Sequence, residues 1–135
     1  MNDTLLVTGG AGFIGGNFVH FVLALPGAQR VVNLDKLTYA GHLETLEDLA
    51  DDPRHIFVQG DIGDRALVAE LLRQYRPVFL VNFAAERHVD RSIDGPAAFI
   101  DTNIRGTFNL LDGARGYWAE LPSEERQRFR FLHVS

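Results

Sequence analysis

The sequence predicts an α/β fold in which helices cover both faces of a parallel sheet, a doubly wound arrangement. Short apolar segments rich in β-branched residues alternate along the chain with segments of helical periodicity. Several of the strand-like segments are apolar at successive positions, which is typical of parallel strands that are buried on both faces. Because crossovers between parallel strands are right-handed, we expect the strand order 3-2-1-4-5.

Length and composition fit one domain over residues 1–135 and exclude several classes of protein. Hydrophobic residues make up 46% and charged residues 23% of the chain, which is the balance of a globular protein. The longest apolar stretch is residues 18–25, interrupted by His20, which is too short for a membrane span. The chain has no cysteine and no secretory signal, and its net charge of −5 disfavours a nucleic-acid surface. We therefore expect a cytoplasmic protein without membrane or nucleic-acid partners.

The first half of the chain predicts three strands and two helical segments. Residues 4–8 form a short apolar strand that ends at two glycines, and residues 13–25 follow with apolar side chains at helical spacing. Residues 31–34 form the second strand, which is closed by Asp35. A loop and a short helix then reach to about Leu49, and residues 56–58 form the third strand.

The second half continues the alternation. Residues 64–76 predict a helix that Asp64 caps and Pro77 ends, and residues 78–83 predict a buried strand. Pro96 is suited to the first turn of a helix that runs to about Trp118. Residues 129–134 predict the fifth strand. The apolar face of the last helix is predicted to contain Ile100, Ile104, Phe108 and Leu111.

Three arginines precede or begin the fifth strand. Phe129 and Phe131 alternate with Arg126, Arg128 and Arg130, as the two faces of a half-buried strand would. The arginines are therefore interpreted as the solvated entry to that strand.

A glycine loop between the first strand and the first helix predicts a phosphate site. Gly9 allows a tight turn, Gly12 lets a pyrophosphate approach the backbone, and Gly15 allows close packing of helix and strand. The start of the helix offers unpaired N–H groups and a partial positive charge. The spacing alone is a weak signal, and the alternative is a turn and cap without a ligand. The strand before the loop and the helix after it favour a Rossmann-like dinucleotide site.

Two acidic residues follow the neighbouring strands. Asp35 lies 20 residues after Gly15, where a carboxylate accepts hydrogen bonds from the adenosine ribose and repels a 2′-phosphate. NAD is therefore expected rather than NADP, although Lys36 could soften that exclusion if it is more than a solvated side chain. The alternative for Asp35 is a loop-capping role. Asp61, after the third strand, could contact the adenine edge or simply cap the loop before the next helix.

Six segments together carry a family resemblance. They are TGGAGFIG (8–15), DKLTYAG (35–41), GDI (60–62), AAERHVDRSI (84–93), GPAAFI (95–100) and TNIRGT (102–107). The chain resembles the extended short-chain dehydrogenase/reductases, and among them the nucleotide-sugar 4,6-dehydratases. The resemblance spans essentially the whole chain, and segments 35–41 and 84–93 are far more specific than the glycine loop.

The resemblance implies an NAD-dependent lyase of deoxysugar biosynthesis. Its substrate would be a nucleotide sugar, dTDP-glucose, and its product the 4-keto-6-deoxy sugar nucleotide. The full-length form would be a homodimer, paired through helices that include the one beginning near Pro96.

The resemblance also implies which residues bind the cofactor. Phe13 and Ile14 would line the pyrophosphate, and Asp61 and Ile62 would flank the adenine. The adenosine ribose would be held by Asp35, Lys36, Leu37 and Thr38. The nicotinamide side would be lined by Phe83, Ala84, Ala85, Glu86 and Thr102.

Two further residues are expected at the substrate. Arg87 stands where the family usually has a small polar residue, and a long cation there could contact a diphosphate, with a side chain that points to solvent as the alternative. His88 is expected beside it as a second substrate contact, with a hydrogen-bonded loop histidine as the alternative.

No catalytic or metal-binding residue is predicted in these 135 residues. The family uses a Tyr-x-x-x-Lys pair, but Lys36 is the only lysine and no tyrosine precedes it at that spacing. The family's Thr-Asp-Glu triplet would begin immediately after Ser135. We therefore expect the cofactor-binding front part of a longer enzyme, lacking the C-terminal part and inactive alone. The alternatives are an NAD-dependent sugar-nucleotide epimerase and a nucleotide-binding module without catalysis.

Overall fold

A computed structural model describes residues 3–36, 43–83 and 96–134, with the side chains of 43–45 and 96–103 left out. Within them five strands form one sheet: β1 Thr4–Thr8, β2 Arg30–Asp35, β3 His55–Gln59, β4 Phe79–Phe83 and β5 Arg130–Val134. All neighbouring pairs are parallel and the order is β3-β2-β1-β4-β5, which confirms the predicted topology.

The helices of the described residues are α1 Phe13–Ala24, α2 Arg65–Tyr75, α3 Pro96–Glu120 and α4 Ser123–Arg128. A 3₁₀ helix, Leu43–Leu49, lies between β2 and β3. The predicted elements agree with the observed ones to within two residues at each end. None of the helices in this part of the chain is long and apolar enough to cross a membrane.

Helix α4 corrects one prediction. Arg126 and Arg128 lie in this helix and not at the entry to a strand, and only Arg130 belongs to β5. The segment carries Glu124 and Glu125 in its first turn and the two arginines in its last turn, an arrangement that complements the helix dipole. The alternation with phenylalanine was therefore too short to distinguish a strand from a single helical turn.

Helices pack on both faces of the sheet and create two cores. On one face α1 and the 3₁₀ helix cover β1 and β2, with Val19, Val22 and Leu46 buried against Val7 and Val31. On the other face α2 and α3 cover the remaining inward side chains. The core on that face contains Leu6, Val32, Leu34, Val68, Leu71, Leu72, Leu80, Leu110, Ala114, Leu121 and Phe129. This two-sided burial explains why the central strands are apolar at consecutive positions.

Helix α3 does not bury the face predicted for it. Leu110 and Ala114 are the side chains that it packs into the core near α2. Ile104, Phe108 and Leu111, which were predicted to share an apolar face, are exposed, and the side chain of Ile100, the fourth member, lies outside those described. Residues 104, 108 and 111 follow helical spacing, so the helix has an apolar face that these described residues leave uncovered.

Helix α2 begins and ends as the sequence predicted. The Asp64 carboxylate accepts a hydrogen bond from the backbone N–H of Leu67 at 3.1 Å, which is N-cap geometry. Arg76 takes a left-handed conformation (φ 49°) at the end of the helix, and Pro77 follows it. The turn before α2 holds Asp61 beside the end of β2, and this turn forms part of the site described next.

Candidate functional site

The carboxyl ends of the parallel strands meet at the glycine loop that joins β1 to α1. The N–H of Gly9 donates to the carbonyl oxygen of Leu34 at 3.0 Å, which ties the loop to the end of β2. The order of the strands reverses at β1, since β2 lies on one side of it and β4 on the other. Ligands of open α/β sheets bind at such a reversal, outside the carboxyl ends of the strands.

Gly9 and Gly15 are glycines for reasons of packing. Gly9 has φ +78°, and a Cβ there would lie 2.8 Å from the carbonyl oxygen of Phe83. A Cβ on Gly15 would lie 2.2 Å from the carbonyl oxygen of Gly9. The turn after β1 and the close approach of α1 therefore both depend on the missing side chains, as predicted.

Gly12 differs from these two because it has space beside it. The nearest atom that a Cβ would meet among the described residues is the carbonyl oxygen of Gly9, at 3.6 Å. Gly12 is the N-cap of α1, with no side-chain cap and no acidic residue in the first turn. Phe13 and Ile14, the first residues of the helix, are exposed. The start of α1 is therefore a backbone surface with a positive partial charge that an anion can approach.

Asp35 ends β2 and reaches the glycine loop. Its Oδ2 accepts a hydrogen bond from the backbone N–H of Ala11 at 2.8 Å. The loop-capping role considered for this residue is thus present in the structure. This hydrogen bond holds the carboxylate at the carboxyl end of β2, directly beside the loop.

Asp61 and Lys36 form an ion pair at the edge of this site. The Lys36 Nζ lies 3.2 Å from Oδ2 of Asp61, while Oδ1 of Asp61 accepts from the N–H of Gly63 at 2.9 Å. The hydrogen bond from Gly63, with a smaller contribution from Lys36, holds the pKa of Asp61 below its usual range despite partial burial. Lys36 is therefore paired across the ends of β2 and β3 rather than free in solvent.

Ile62 follows β3, Phe83 ends β4, and both residues are in contact with helices. Ile62 is half-buried. A Cβ on Gly106 of α3 would lie 2.9 Å from the Ile62 side chain, so the helix and the loop segment are closely packed at this glycine. The carbonyl oxygen of Ile62 accepts a hydrogen bond from the Asn109 side chain at 2.5 Å. Phe83, at the end of β4, packs against Phe18 of α1 with ring centroids 5.4 Å apart. Each of the two residues is thus in contact with a helix.

The remaining predicted site residues fall on positions or side chains outside those that the structure describes. Those that lie outside the described residues are Leu37, Thr38, Ala84, Ala85, Glu86, Arg87 and His88. Thr102 lies within α3, but its side chain is not among those described. Within the part of the chain that is described, no three histidines or acidic residues come together to hold a metal ion.

Sequence reasoning missed two groups of polar contacts beside the glycine loop, the first around Asn82 and the second beneath Gly10. The buried Thr8 hydroxyl donates to Oδ1 of Asn82 at 2.5 Å, and Nδ2 of Asn82 donates to Nδ1 of His133 at 2.9 Å. These bonds join β1, β4 and β5. The signal that could have revealed them is one polar residue within an otherwise apolar strand, because a buried amide needs partners.

The second group of missed contacts involves Gly10, which had no predicted role. A Cβ on Gly10 would lie 2.2 Å from Oδ1 of Asn33, a buried residue of β2. The same Asn33 side chain places Nδ2 3.4 Å from Nε2 of His55. Gly10 therefore makes room for a polar side chain beneath the loop, so that Gly9, Gly10 and Gly15 all serve packing.

Comparison with known proteins decides the family. A model of the family described as GDP-mannose 4,6 dehydratase matches residues 6–135. The chain belongs to this family. Among curated relatives of the family, the dTDP-glucose 4,6-dehydratase of Xanthomonas campestris pv. campestris (strain B100) is 61% identical over 132 residues. The match covers 98% of this chain and 37% of that relative, so the chain spans little more than a third of the relative's length.

Solved structures of related dehydratases share the fold. The dTDP-glucose 4,6-dehydratase of Bacillus anthracis, solved in complex with NAD, has a TM-score of 0.80 at 34% identity, with 98% of this chain and 37% of that chain covered. DesIV, the dTDP-glucose 4,6-dehydratase of Streptomyces venezuelae, was solved with NAD and TYD bound. Its TM-score is 0.75 at 50% identity, with 84% of this chain and 36% of that chain covered.

Proposed function

We propose that this chain binds NAD and is the cofactor-binding part of a dTDP-glucose 4,6-dehydratase, an NAD-dependent lyase. The observation that carries the proposal is the open backbone surface at Gly12, beside the carboxylate of Asp35. The dehydratases of Bacillus anthracis and Streptomyces venezuelae, which share this fold, were solved with NAD. Their likeness to this chain, over 98% and 84% of its length, supports the same cofactor here.

The residues at the loop fit the parts of a dinucleotide. The pyrophosphate would lie against Gly12 and the first N–H groups of α1, with Phe13 and Ile14 beside it. Asp35 would accept hydrogen bonds from the adenosine ribose while it keeps its contact with Ala11. Gly9 and Gly15 would act indirectly, by giving the loop its shape.

The same proposal extends to residues further along the strand ends. Lys36, Asp61 and Ile62 lie at the ends of β2 and β3, where the adenosine would be bound. Phe83 ends β4, on the side where the nicotinamide would lie. Resemblance alone supports the cofactor contacts of Leu37, Thr38, Ala84, Ala85, Glu86 and Thr102, and the substrate contacts of Arg87 and His88.

In this proposal the 135 residues bind the cofactor, and the catalytic residues of the enzyme lie outside them. Bound NAD would supply a hydride acceptor. The chain's own residues would bind and orient the cofactor, and Arg87 could offer a charge to the diphosphate of a nucleotide sugar. No catalytic side chain is assigned here, because Lys36 is the only lysine and belongs to the ribose side of the site. We therefore expect binding without turnover.

Calorimetric titration of the full chain with NAD⁺ tests the cofactor site. We expect saturable binding, and we expect Asp35→Asn to weaken it about tenfold or more, because hydrogen bonds to charged groups contribute about 1.5–3 kcal/mol. The asparagine can still accept from Ala11. Asp51→Asn, an exposed residue that changes the net charge equally, is the matched control and should bind like the parent chain.

Two results would overturn the proposal. If neither heat nor a rise in melting temperature appears at millimolar NAD⁺, the chain has no cofactor site. If Asp35→Asn binds NAD⁺ as tightly as the parent chain, Asp35 caps the loop and does not hold the ribose.

A separate experiment distinguishes the lyase from the epimerase alternative. It analyses the product of a longer polypeptide in which this chain is joined to a part that carries a Tyr-x-x-x-Lys pair. A dehydratase product lacks the 6-hydroxyl, whereas an epimer retains it.

We further propose a homodimer and a cytoplasmic location. The exposed apolar face of α3 at Ile104, Phe108 and Leu111 supports pairing with a second copy of the chain. The absence of cysteine from the sequence is consistent with a reducing compartment.

A further inference from the structure

The only lysine of the chain is paired with an acidic residue at the edge of the site. Lys36 directly follows Asp35, and its Nζ lies 3.2 Å from Oδ2 of Asp61. The side chains of Lys36 and Asp61 are 55% and 46% exposed, so neither is buried and Lys36 could turn to another partner. Burial does not force this pairing, so Lys36 could pair with another anion if Asp61 did not hold it.

Backbone hydrogen bonds orient the Asp61 carboxylate toward Lys36. Its Oδ1 is occupied by the N–H of Gly63 at 2.9 Å, which orients the carboxylate and leaves Oδ2 directed at Lys36. The carbonyl oxygen of Asp61 also accepts from the N–H of Asp64 at 2.9 Å, so the turn itself is rigidly bonded. The anion that faces Lys36 is therefore fixed in place by the backbone.

A free lysine beside Asp35 would matter for the choice of cofactor. NADP differs from NAD by a 2′-phosphate on the adenosine ribose, the group that a carboxylate at the end of the second strand repels. Lysine binds phosphate as a point charge, so an unpaired Lys36 would offset part of that repulsion.

We propose that Asp61 is a specificity-determining residue, which favours NAD over NADP by holding Lys36 in an ion pair across the ends of β2 and β3. The inference rests on the proposed function, because it assumes that the adenosine ribose lies at Asp35. Asp35 excludes the 2′-phosphate directly, whereas Asp61 does so by occupying the cation that would otherwise accept it.

The test measures the dissociation constants of NAD⁺ and NADP⁺ with Asp61→Asn in the full chain. Asparagine can still accept from Gly63 but no longer holds Lys36 by charge. We expect the ratio of the NADP⁺ to the NAD⁺ dissociation constant to fall about fivefold, which is the upper range for releasing an exposed ion pair. Any lost contact to adenine affects both cofactors equally and leaves the ratio unchanged.

Two controls separate the ion pair from a general charge effect. Asp64→Asn removes the same charge three residues away and keeps a good N-cap, so its ratio should stay close to that of the parent chain. In a Lys36→Gln background, Asp61→Asn should change the ratio by less than about twofold, because no cation is left to release. Circular dichroism of each variant checks that the fold is kept.

The outcomes distinguish this inference from the proposed function. If the parent chain binds neither cofactor, the proposed function fails. If the parent chain binds NAD⁺ but Asp61→Asn leaves the ratio unchanged, the inference fails alone. An equal fall of the ratio with and without Lys36 would also overturn it, since long-range charge would then be the whole effect.

Discussion

At Gly15 a methyl group would lie 2.2 Å from the carbonyl oxygen of Gly9 and 2.9 Å from the Cα of Gly10. Both are backbone atoms, so neither can rotate away, and α1 would have to move off β1 to make room. The sequence predicted this role for Gly15 from its place as the third glycine of the loop motif, at position 15 after 9 and 12. It did not predict Gly10, whose neighbour Asn33 comes from another strand.

Gly15→Ala is therefore expected to lower the free energy of unfolding by about 2 kcal/mol or more, in the range of overpacked sites. NAD⁺ binding should weaken with it, because the loop and the start of α1 shift together. Urea denaturation and calorimetry measure the two effects.

Gly116→Ala is the matched control for this substitution. Gly116 lies inside α3, and a Cβ there would meet no atom within 4 Å among the described residues. Alanine should therefore raise the free energy of unfolding by up to about 1 kcal/mol through helix propensity. If both alanines had the same effect, close packing at Gly15 would not be the reason for its glycine.

At the scale of elements, one histidine joins α1 to the 3₁₀ helix. The Nδ1 of His20 lies 2.8 Å from the carbonyl oxygen of Gly16, and its Nε2 lies 2.8 Å from Oδ1 of Asp48. Both partners are acceptors, so both nitrogens donate only when the ring is a charged imidazolium. The hydrogen bond to Asp48, followed by that to Gly16, raises the pKa of His20 above its usual value. Protonation therefore strengthens the contact between the two elements.

The pH dependence of folding should reveal this contact. A histidine with a raised pKa stabilises the fold fully below its unfolded pKa of about 6.5, and this stabilisation is lost as the pH rises through the folded value. We expect the difference in free energy of unfolding between the parent chain and His20→Gln to be larger near pH 5.5 than near pH 8. Urea denaturation at both pH values measures it.

His55 also contributes to the pH dependence of folding, and its pKa is shifted in the opposite direction to that of His20. Burial, the largest effect, lowers its pKa, so its charging opposes folding as the pH falls. Taking the difference between the parent chain and His20→Gln removes most of this contribution, since both contain His55. A difference that is flat with pH, or an NMR titration that places His20 at or below its ordinary pKa, would show that the imidazolium is not needed.

Which elements form was largely predictable, since the segments that form strands and helices carry their own periodicity and stop signals. Asp64 and Pro77 delimit α2 in the sequence as they do in the structure. Helix α4 was missed because six residues hold too few turns to show a period. The contacts of His20 with Asp48 were also missed, because the partners are 28 residues apart and on different elements.

At the scale of the whole molecule, helix α3 has an apolar face that the described residues leave uncovered. Helix α3 turns Leu110 and Ala114 toward α2, and Phe108 on its other side is 63% exposed. Exposed apolar clusters of this kind mark interaction surfaces. Because a helix is covered by its own sheet on one side only, the second face is where we propose that another copy of the chain pairs.

Phe108→Glu is expected to abolish self-association of the chain while it leaves the melting temperature of the monomer nearly unchanged. A charge at the centre of an apolar interface cannot be buried without a partner, whereas in the monomer the side chain already faces solvent. Sedimentation velocity over a range of protein concentrations measures the change.

Phe21→Glu provides the control, since Phe21 is 62% exposed on α1, at the opposite face of the sheet. It should leave self-association as it is in the parent chain. If the parent chain is monomeric at every concentration, or if both glutamates act alike, the face of α3 is not the dimer interface.

The sequence by itself determined the five strands, the helices other than α4, the order of the strands in the sheet and the packing roles of Gly9 and Gly15. Periodicity, capping and turn chemistry are properties of neighbouring residues, and the handedness of crossovers then restricts the topology. Only the tertiary structure decided that Lys36 pairs with Asp61, that Asp35 also bonds the glycine loop, and that α3 exposes its apolar face. These contacts join residues far apart in the chain. They depend on strand register and helix placement to within a few ångströms, and the local sequence does not encode distances across the fold.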